Sequence, residues 1–277
     1  MNAETREEKE KLTTSENVPA PASGNMFKAT VKDARLWKSL LEAIAALTEE
    51  ADFNITLDGM KLRSMDPSHV AMVDFEWPKT AFEEYDCSQP AKIKINLANM
   101  LKLLKRVKSE DSLEVTYDEN TRKLKISVKG KIRKDFAVST LEPSEEAPPT
   151  PKHAFNSKLK VVSSSLKEII EDTQAVSDSM TLETTPEKAV AKAAAELGSA
   201  TIELDKGSEA LLDLQVNEPS RATYSLDFLA KIVRAGAAAS EVATAEFSTN
   251  KPIKLEFEIP AEGRLAYYLA PRIEAEE

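Results

Sequence analysis

Three side chains that many hydrolases use for catalysis lie within four residues of this chain. Asp66, Ser68 and His69 belong to the stretch LRSMDPSHVAMVDFE, residues 62–76. The members of a hydrolytic triad come from separate segments, because the base must reach the nucleophile while a third group orients it. Neighbours in a tight turn point apart instead, and the sequence contains no GxSxG elbow. The pattern therefore favours a turn between two strands, and an enzyme is the weaker alternative.

The composition excludes several other kinds of site. The 277 residues include one cysteine and two histidines, too few for an intrachain disulfide or for the four Cys/His ligands of a structural zinc site. Neither GxGxxG nor GxxxxGKS/T is present. A single cysteine fits a reducing cytosol, and no apolar run approaches the ~20 residues of a membrane helix. We expect no metal, no cofactor and no membrane contact.

The two ends of the chain are polar. Residues 1–25 are charged and rich in Pro, Ala and Ser, without the apolar core of a signal peptide, so we expect a disordered tail. Residues 275–277 form an acidic C-terminal end. The formal net charge of −10 argues by itself against nucleic-acid binding. Net charge, however, does not say where the individual charges lie.

Two long segments of the chain share one layout. Residues 95–128 and 224–259 each begin with a residue suited to cap a helix, followed by a helix and two alternating strands. An offset of 129 residues aligns these segments, and it also aligns the predicted helices 33–47 and 163–176. The predicted caps are Asn96 and Ser225.

A proline-rich segment separates the two copies. Residues 141–154 hold four prolines and three glutamates and predict an extended linker. The two domains would then be residues 26–140 and 155–274. Short alternating runs, such as 131–141 and 199–205, surround two helices in each copy. The pattern predicts an α+β duplication in which antiparallel sheets cover the helices on one side.

Basic residues recur at matching helix positions, opposite the apolar residues. In the predicted helix 97–107 they are Lys102, Lys105 and Arg106, and in the helix from Leu226 they are Lys231 and Arg234. A basic helical face on an otherwise acidic protein indicates sequence-independent, salt-dependent contact with the phosphates of a duplex. Few aromatic residues accompany these positions, so stacking on single-stranded bases is poorly supported.

Five motifs follow one another along residues 26–274. They are MFKATV, LRSMDPSHVAMVDFE, INLANMLKLLK, VSDSMTLE and EGRLAYYLAPRIE. Together, in this order and on a duplicated chain, they resemble the proliferating cell nuclear antigen (PCNA) family of DNA sliding clamps, of archaeal type. The resemblance implies the duplicated DNA-clamp fold, in which three subunits close head to tail into a ring with helices lining the hole and antiparallel sheets outside.

The resemblance implies a processivity factor without catalytic activity of its own. Such a ring encircles duplex DNA and tethers DNA polymerase, flap endonuclease and DNA ligase during replication and repair, and an ATP-driven clamp loader opens it. This would place the chain in the cytoplasm, at the nucleoid of an archaeal cell. The alternative is a subunit of a heteromeric clamp, or a checkpoint-type clamp-like scaffold, that assembles only with different subunits.

The resemblance also implies three sets of site residues. The positions facing DNA would be Lys38, Lys102, Lys105, Lys167, Lys231 and Arg234, with Arg106 and Lys108 as further candidates. A pocket for the PIP box, a peptide motif whose helical turn ends in two aromatic residues, would be lined by Met65, His69, Val70, Leu141, Pro252, Tyr268, Ala270 and Pro271. Subunits would meet through edge strands, with Lys131, Arg133, Lys134 and Phe136 of one copy near Thr201, Ile202 and Glu203 of the next.

Overall fold

The structure is a computed structural model that describes residues 25–144, 147–149, 151–196 and 198–273, with the backbone alone for Asn25 and Met26. Apart from Asn25, the tail predicted for residues 1–25 lies outside the described residues, as does the predicted acidic end 275–277. Among the helices of the described ranges, none is long and apolar enough to cross a membrane.

Four α-helices follow the apolar periodicity of the sequence. They are α1 (Ala34–Ala45), α2 (Leu97–Leu103), α3 (Ser163–Gln174) and α4 (Leu226–Ala239). Asn96 caps α2 as predicted, because its side chain accepts a hydrogen bond from the N–H of Asn99 at 2.9 Å. Ser225 is the N-cap residue of α4 as predicted, although its side chain makes no capping hydrogen bond.

Helix α2 is shorter than the predicted 97–107. Leu104 leaves the helical conformation, with φ −87° and ψ 4°. Just beyond it, the N–H of Lys108 donates to a carboxylate oxygen of Asp111 at 2.9 Å. Such a side-chain bond competes with a further helical turn by offering the backbone another partner. The helices predicted to end at residues 47 and 176 also stop earlier, at Ala45 and Gln174.

The strands follow the same repeat. In the first copy they are β1 (Asn25–Val31), β2 (Glu50–Thr56), β3 (Gly59–Met65), β4 (Ala71–Pro78), β5 (Glu84–Cys87), β6 (Ala91–Asn96), β7 (Ser112–Asp118), β8 (Lys123–Lys129) and β9 (Lys134–Ser139). In the second they are β10 (Ser157–Val162), β11 (Ser179–Thr184), β12 (Lys188–Ala195), β13 (Gly198–Asp205), β14 (Leu211–Val216), β15 (Ser220–Ser225), β16 (Val242–Phe247), β17 (Ile253–Ile259) and β18 (Gly263–Leu269).

Each copy folds into one five-stranded and one four-stranded arrangement of antiparallel strands. In the first copy the orders are β5-β1-β7-β8-β9 and β4-β3-β2-β6, and in the second they are β14-β10-β16-β17-β18 and β13-β12-β11-β15. Because β18 pairs with β4, two of these groups fuse into a nine-stranded sheet across the domain boundary. The predicted α+β duplication is confirmed.

The helices pack side by side, in the order α2-α1-α4-α3. Their apolar sides are buried against the sheets, and Trp37 of α1 stacks on Trp77 of β4 with ring centroids 5.6 Å apart. The hydroxyl of Tyr267, in β18, donates to the carbonyl of Ala43, in α1, at 2.8 Å. The second copy is therefore joined to the first by strand pairing, helix packing and a buried hydrogen bond.

The repeat extends beyond the last strand of each copy. The N–H of Leu141 donates to the carbonyl of Lys94 in β6 at 2.8 Å, and the N–H of Arg272 donates to that of Thr223 in β15 at 2.7 Å. Strands β6 and β15 hold equivalent places in their sheets. The start of the linker and the C-terminal segment therefore follow the same path over equivalent strands.

Candidate functional site

The helices present basic residues on the face away from the sheets. In α4, Leu229 and Ile232 are buried, whereas Lys231 and Arg234 are exposed. Lys102 of α2 is exposed in the same way. Because the four helices lie side by side, these cations belong to one surface, which we call the helical face.

Three of the predicted cations lie beyond the end of α2. Lys105 and Arg106 are exposed in the turn that follows the helix, and Lys108 comes two residues later, with its ammonium 3.5 Å from the carboxylate of Glu110. The early end of α2 therefore places these side chains at the border of the helical face, where the sequence predicted a continuous helix.

Carboxylates on the same helix offset two of the predicted cations. Lys38 lies 3.2 Å from Glu42, and Lys167 lies 3.8 Å from Glu171, both one helical turn apart. Within the described residues, ion pairs are absent for Lys102, Lys105, Arg106, Lys231 and Arg234. Since opposite charges in contact cancel much of each other's field, Lys38 and Lys167 contribute less positive charge to the helical face than the unpaired cations of α4, of α2 and of the turn after it.

The turn between β3 and β4 is held by Asp66. Its buried carboxylate accepts the N–H of Val70 at 2.8 Å and that of Ala71 at 2.6 Å, and it also accepts the N–H and the hydroxyl of Ser68. Burial acts to raise the pKa of Asp66, but these hydrogen bonds outweigh burial and hold the pKa below the ordinary value of an aspartate.

The triad residues therefore serve the turn. The Ser68 hydroxyl donates a hydrogen bond to the carboxylate of Asp66, and His69 adopts a left-handed φ of 59° that helps the chain reverse. Within the part of the chain that the structure describes, no three His, Cys, Asp or Glu side chains gather closely enough to hold a metal ion.

An apolar cleft of about 290 Å³ lies beside this turn, over the strands that join the two copies. Met65 of β3 and Tyr268 of β18 each stand opposite Met72 of β4, and these three side chains form its floor. Of these three, Met65 and Tyr268 were predicted. Four more predicted residues also line the cleft, namely His69, Val70, Pro252 and Ala270. Six of the eight predicted docking residues thus meet in one cleft, which we call the junction cleft.

The remaining wall comes from the second half of the linker. Pro148, Pro149, Pro151 and His153 line the junction cleft. The resemblance predicted a contribution from the linker beginning near Leu141 but singled out none of these four residues, although prolines beside an apolar pocket could have signalled a wall. The structure places Leu141 elsewhere, because the linker first pairs with β6. The predicted Pro271 follows Ala270 directly, just outside the lining.

Strands β9 and β13 each have one edge unpaired among the described residues, because each ends its sheet. Phe136 of β9 and Ile202 of β13 are half-buried and pack against the core, while Thr201 and Glu203 are exposed. The predicted strand 131–137 begins only at Lys134, so Lys131 and Arg133 lie in the preceding turn. The two predicted edge strands therefore exist, and both are open.

Similar proteins share this architecture. Residues 26–143 match the model of the proliferating cell nuclear antigen N-terminal domain, and residues 150–272 match that of its C-terminal domain. The DNA polymerase sliding clamp of Nitrosopumilus maritimus is 37% identical over 238 residues, covering 86% of this chain and 95% of the relative. DNA polymerase sliding clamp 1 of Pyrobaculum aerophilum is 35% identical over 245 residues, covering 88% and 98%.

A solved structure agrees with the sequence relatives. The crystal structure of PCNA from Thermococcus kodakaraensis matches with a TM-score of 0.85 at 26% identity, covering 89% of this chain and 100% of that chain. The duplicated domains, the row of helices and the two open edges thus define a chain with the DNA-clamp fold. The chain belongs to the proliferating cell nuclear antigen family.

Proposed function

We propose that this chain is the subunit of a sliding clamp, a processivity factor that keeps DNA polymerase on duplex DNA at the nucleoid of an archaeal cell. Three copies would join head to tail into a ring with the helical face of every copy around the hole. Such a ring remains on DNA because it is closed around the duplex, so each contact with DNA can be weak. The activity requires no catalytic residue.

The observation that carries this proposal is that two strands pair across the domain boundary, while the equivalent two strands elsewhere in the chain each have an unpaired edge in the described residues. Strand β9 holds the same place in its sheet as β18, and β13 holds the same place as β4. Inside the chain β18 pairs with β4, whereas β9 and β13 belong to separate sheets and leave edges free in the described residues. A second copy can provide the missing partner strand, and a head-to-tail contact of this kind closes into a ring when the rotation allows.

The internal junction also predicts the register between copies. In the junction of β18 with β4, the facing pairs are Arg264–Glu76 and Tyr267–Val73. The pairing of each strand with its sheet neighbour identifies the equivalent residues in β9 and β13. The equivalent pairs are Arg133 with Glu203 of the partner subunit, and Phe136 with Ala200 of the partner subunit. Both pairs are chemically compatible, which supports self-association over a heteromeric ring.

The charge distribution supports DNA as the occupant of the hole. The chain carries a formal net charge of −10, and yet its helical face displays cations that have no carboxylate partner among the residues that the structure describes. Lysine and arginine contacts with phosphates are independent of sequence and weaken as salt rises. We assign the main contacts to Lys102, Lys105, Lys231 and Arg234, with smaller contributions from Lys38, Arg106, Lys108 and Lys167.

The junction cleft is the proposed docking site for PIP-box peptides. Its floor combines two flexible methionines with Tyr268, and such surfaces adapt to aromatic anchors. A short helical turn ending in two aromatic residues has the shape and chemistry for an apolar cleft of this kind. DNA polymerase, flap endonuclease, DNA ligase and the clamp loader are the proposed partners.

The clamp function is tested by removing charge from the helical face. We expect the combined replacement of Lys102, Lys105, Lys231 and Arg234 by Ala to lower loader-dependent stimulation of an archaeal DNA polymerase on primed circular DNA. The loss should be about tenfold near physiological salt and larger at higher salt, because each lost phosphate contact removes part of the electrostatic attraction. Folding and ring formation should remain intact.

A matched control removes four exposed lysines outside the four α-helices. Replacing Lys79, Lys123, Lys125 and Lys192 by Ala changes the net charge equally but leaves the helical face untouched. This control should stimulate the polymerase like the unmodified chain. Equal losses in both variants would attribute the effect to net charge, and unchanged stimulation in the helical variant would exclude the proposed DNA-facing surface.

A further inference from the structure

A charged row lies next to the floor of the junction cleft, one step along the same strands. Arg63 of β3 stands opposite Asp74 of β4, two residues from Met65 and Met72 respectively. The carboxylate of Asp74 accepts hydrogen bonds from Nη2 of Arg63 at 3.4 Å and from Nη2 of Arg264, in β18, at 3.2 Å. Asp74 is only 3% exposed, whereas the side chains of Arg63 and Arg264 are partly exposed.

The burial of Asp74 fixes the guanidinium of Arg63. A buried carboxylate is unfavourable unless cations and hydrogen-bond donors surround it, and the two arginines meet that requirement from opposite domains. Nε of Arg63 is buried and has no hydrogen-bond partner among the described residues, an arrangement that proteins normally avoid. The orientation of the guanidinium is therefore determined by the contacts of its two terminal nitrogens.

The second terminal nitrogen of Arg63 reaches the linker. Its Nη1 donates to the carbonyl of Pro148 at 3.1 Å, across 85 residues of sequence. Pro148 lines the junction cleft together with Pro149 and Pro151, and we call these three prolines the proline wall. One planar side chain thus connects the buried carboxylate of Asp74 to the wall, and its forked geometry allows both contacts at once.

The proline wall has few other means of attachment. Prolines have no N–H, so Pro148, Pro149 and Pro151 cannot donate backbone hydrogen bonds to a neighbouring strand. Within the described residues of the range 147–153, the bond from Arg63 is the one hydrogen bond to the body of the protein. The first half of the linker is held separately, where Asp52 accepts the N–H of Ser144 at 3.0 Å and its hydroxyl at 2.8 Å.

We propose that Arg63 is a positioning residue for partner docking, which sets the proline wall at the distance from Met65 and Tyr268 that a docked peptide requires. The proposal rests on the proposed docking function of the junction cleft. Arg63 acts through the linker and need not touch the peptide. Its loss would widen the cleft and free the second half of the linker while the cleft floor stays in place.

The test compares two substitutions that both leave Asp74 with a cation. Arg63→Lys retains a positive charge but lacks the fork that reaches Pro148. Arg264→Lys alters the other partner of Asp74 and leaves the linker contact intact. We expect Arg63→Lys to raise the Kd of a synthetic PIP-box peptide, measured by calorimetry, by about tenfold, as for the loss of one charge-assisted hydrogen bond. Arg264→Lys should change the Kd by less than about twofold.

Limited trypsin digestion gives an independent readout, because Lys152 directly follows Pro151 of the proline wall and is exposed. Cleavage after Lys152 should accelerate in Arg63→Lys and not in Arg264→Lys. An unchanged Kd in Arg63→Lys, or equal weakening in both variants, would overturn the proposal. If the unmodified chain failed to bind the peptide, the docking function would fail and the role of Arg63 in docking with it. The digestion would then show separately whether Arg63 holds the linker.

Discussion

The pairing of β18 with β4 inside the chain has an equivalent in the edges of β9 and β13, which are unpaired among the described residues. We call the first the filled junction and the second the open junction. Where β18 meets β4, Tyr267 is buried and bonded to α1. Where β9 and β13 end their sheets, Phe136 and Ile202 remain half-buried. In the proposed ring, the duplication provides two versions of one contact, a permanent one within the chain and a reversible one between copies. Such a ring would have to open to admit DNA, and we expect it to open at the contact between copies.

The filled junction also has a loop that its counterpart lacks. Residues 66–70 connect β3 to β4, whereas residues 196–197 suffice between β12 and β13. The longer loop contributes His69 and Val70 to the junction cleft. The proposed docking site therefore lies at the junction within the chain, and we expect a partner to stay bound there while the proposed ring opens at a contact between copies.

The largest expected effect comes from truncating the filled junction. We expect Tyr267→Ala to lower the free energy of unfolding by about 3–5 kcal/mol, because it leaves a cavity in the core. Guanidinium denaturation at fixed chain concentration measures the change. Tyr267→Phe, which loses only the hydrogen bond to Ala43, should cost about 1 kcal/mol. A loss under about 1 kcal/mol for Tyr267→Ala would contradict a permanent role for this contact.

The equivalent truncation in the open junction should affect assembly instead. Phe136→Ala should weaken each contact between copies by about 1.5–3 kcal/mol, since a phenyl ring loses its burial against the neighbour. Light scattering over a dilution series would then show the mass falling from three times 30.5 kDa toward 30.5 kDa at concentrations at least about tenfold higher than for the unmodified chain. Identical dilution curves would place the contact elsewhere.

The loop of the filled junction gives a prediction that depends on pH. Asp66→Asn should lower stability at neutral pH by about 1–2 kcal/mol, because an amide accepts the turn's N–H groups less strongly. The folded-state pKa of Asp66 is lowered, so its contribution is present above the unfolded-state pKa of about 4 and is lost as the pH falls through the folded value. Thermal unfolding between neutral and acid pH should show the two proteins converging below about pH 4. A constant difference at all pH values would contradict this account.

The smallest effect concerns the charged pair at the rim of the open junction. Arg133→Glu should weaken assembly by at most about 1 kcal/mol, because exposed ion pairs contribute little. Combining it with Glu203→Arg should restore assembly, as expected for direct neighbours. Dissociation measured at low and high salt would test this, and a double variant weaker than either single one would show that the register is wrong.

The sequence predicted the repeated architecture well because the repeat doubles each local signal. Period-two runs identified β13, and the matching basic positions identified the helical face. It failed where the outcome depends on contacts that neither the helical nor the period-two pattern contains. The bond between Lys108 and Asp111 follows the early end of α2, and the pairing with β6 carries Leu141 away from the cleft. No local pattern marks Arg63, whose partners lie 11 and 85 residues away.

The equivalence of Leu141 and Arg272 has a practical consequence for protein engineering. Inside the chain, the segment from Leu141 to β10 is long enough to carry the backbone from one domain to the next. Because Arg272 leaves β18 along the equivalent path, a connector of similar length should carry the backbone from Ile273 of one copy to β1 of another. In the proposed ring of three copies, two such connectors would give a single polypeptide with six successive domains, in which only one contact between copies lacks a covalent connector.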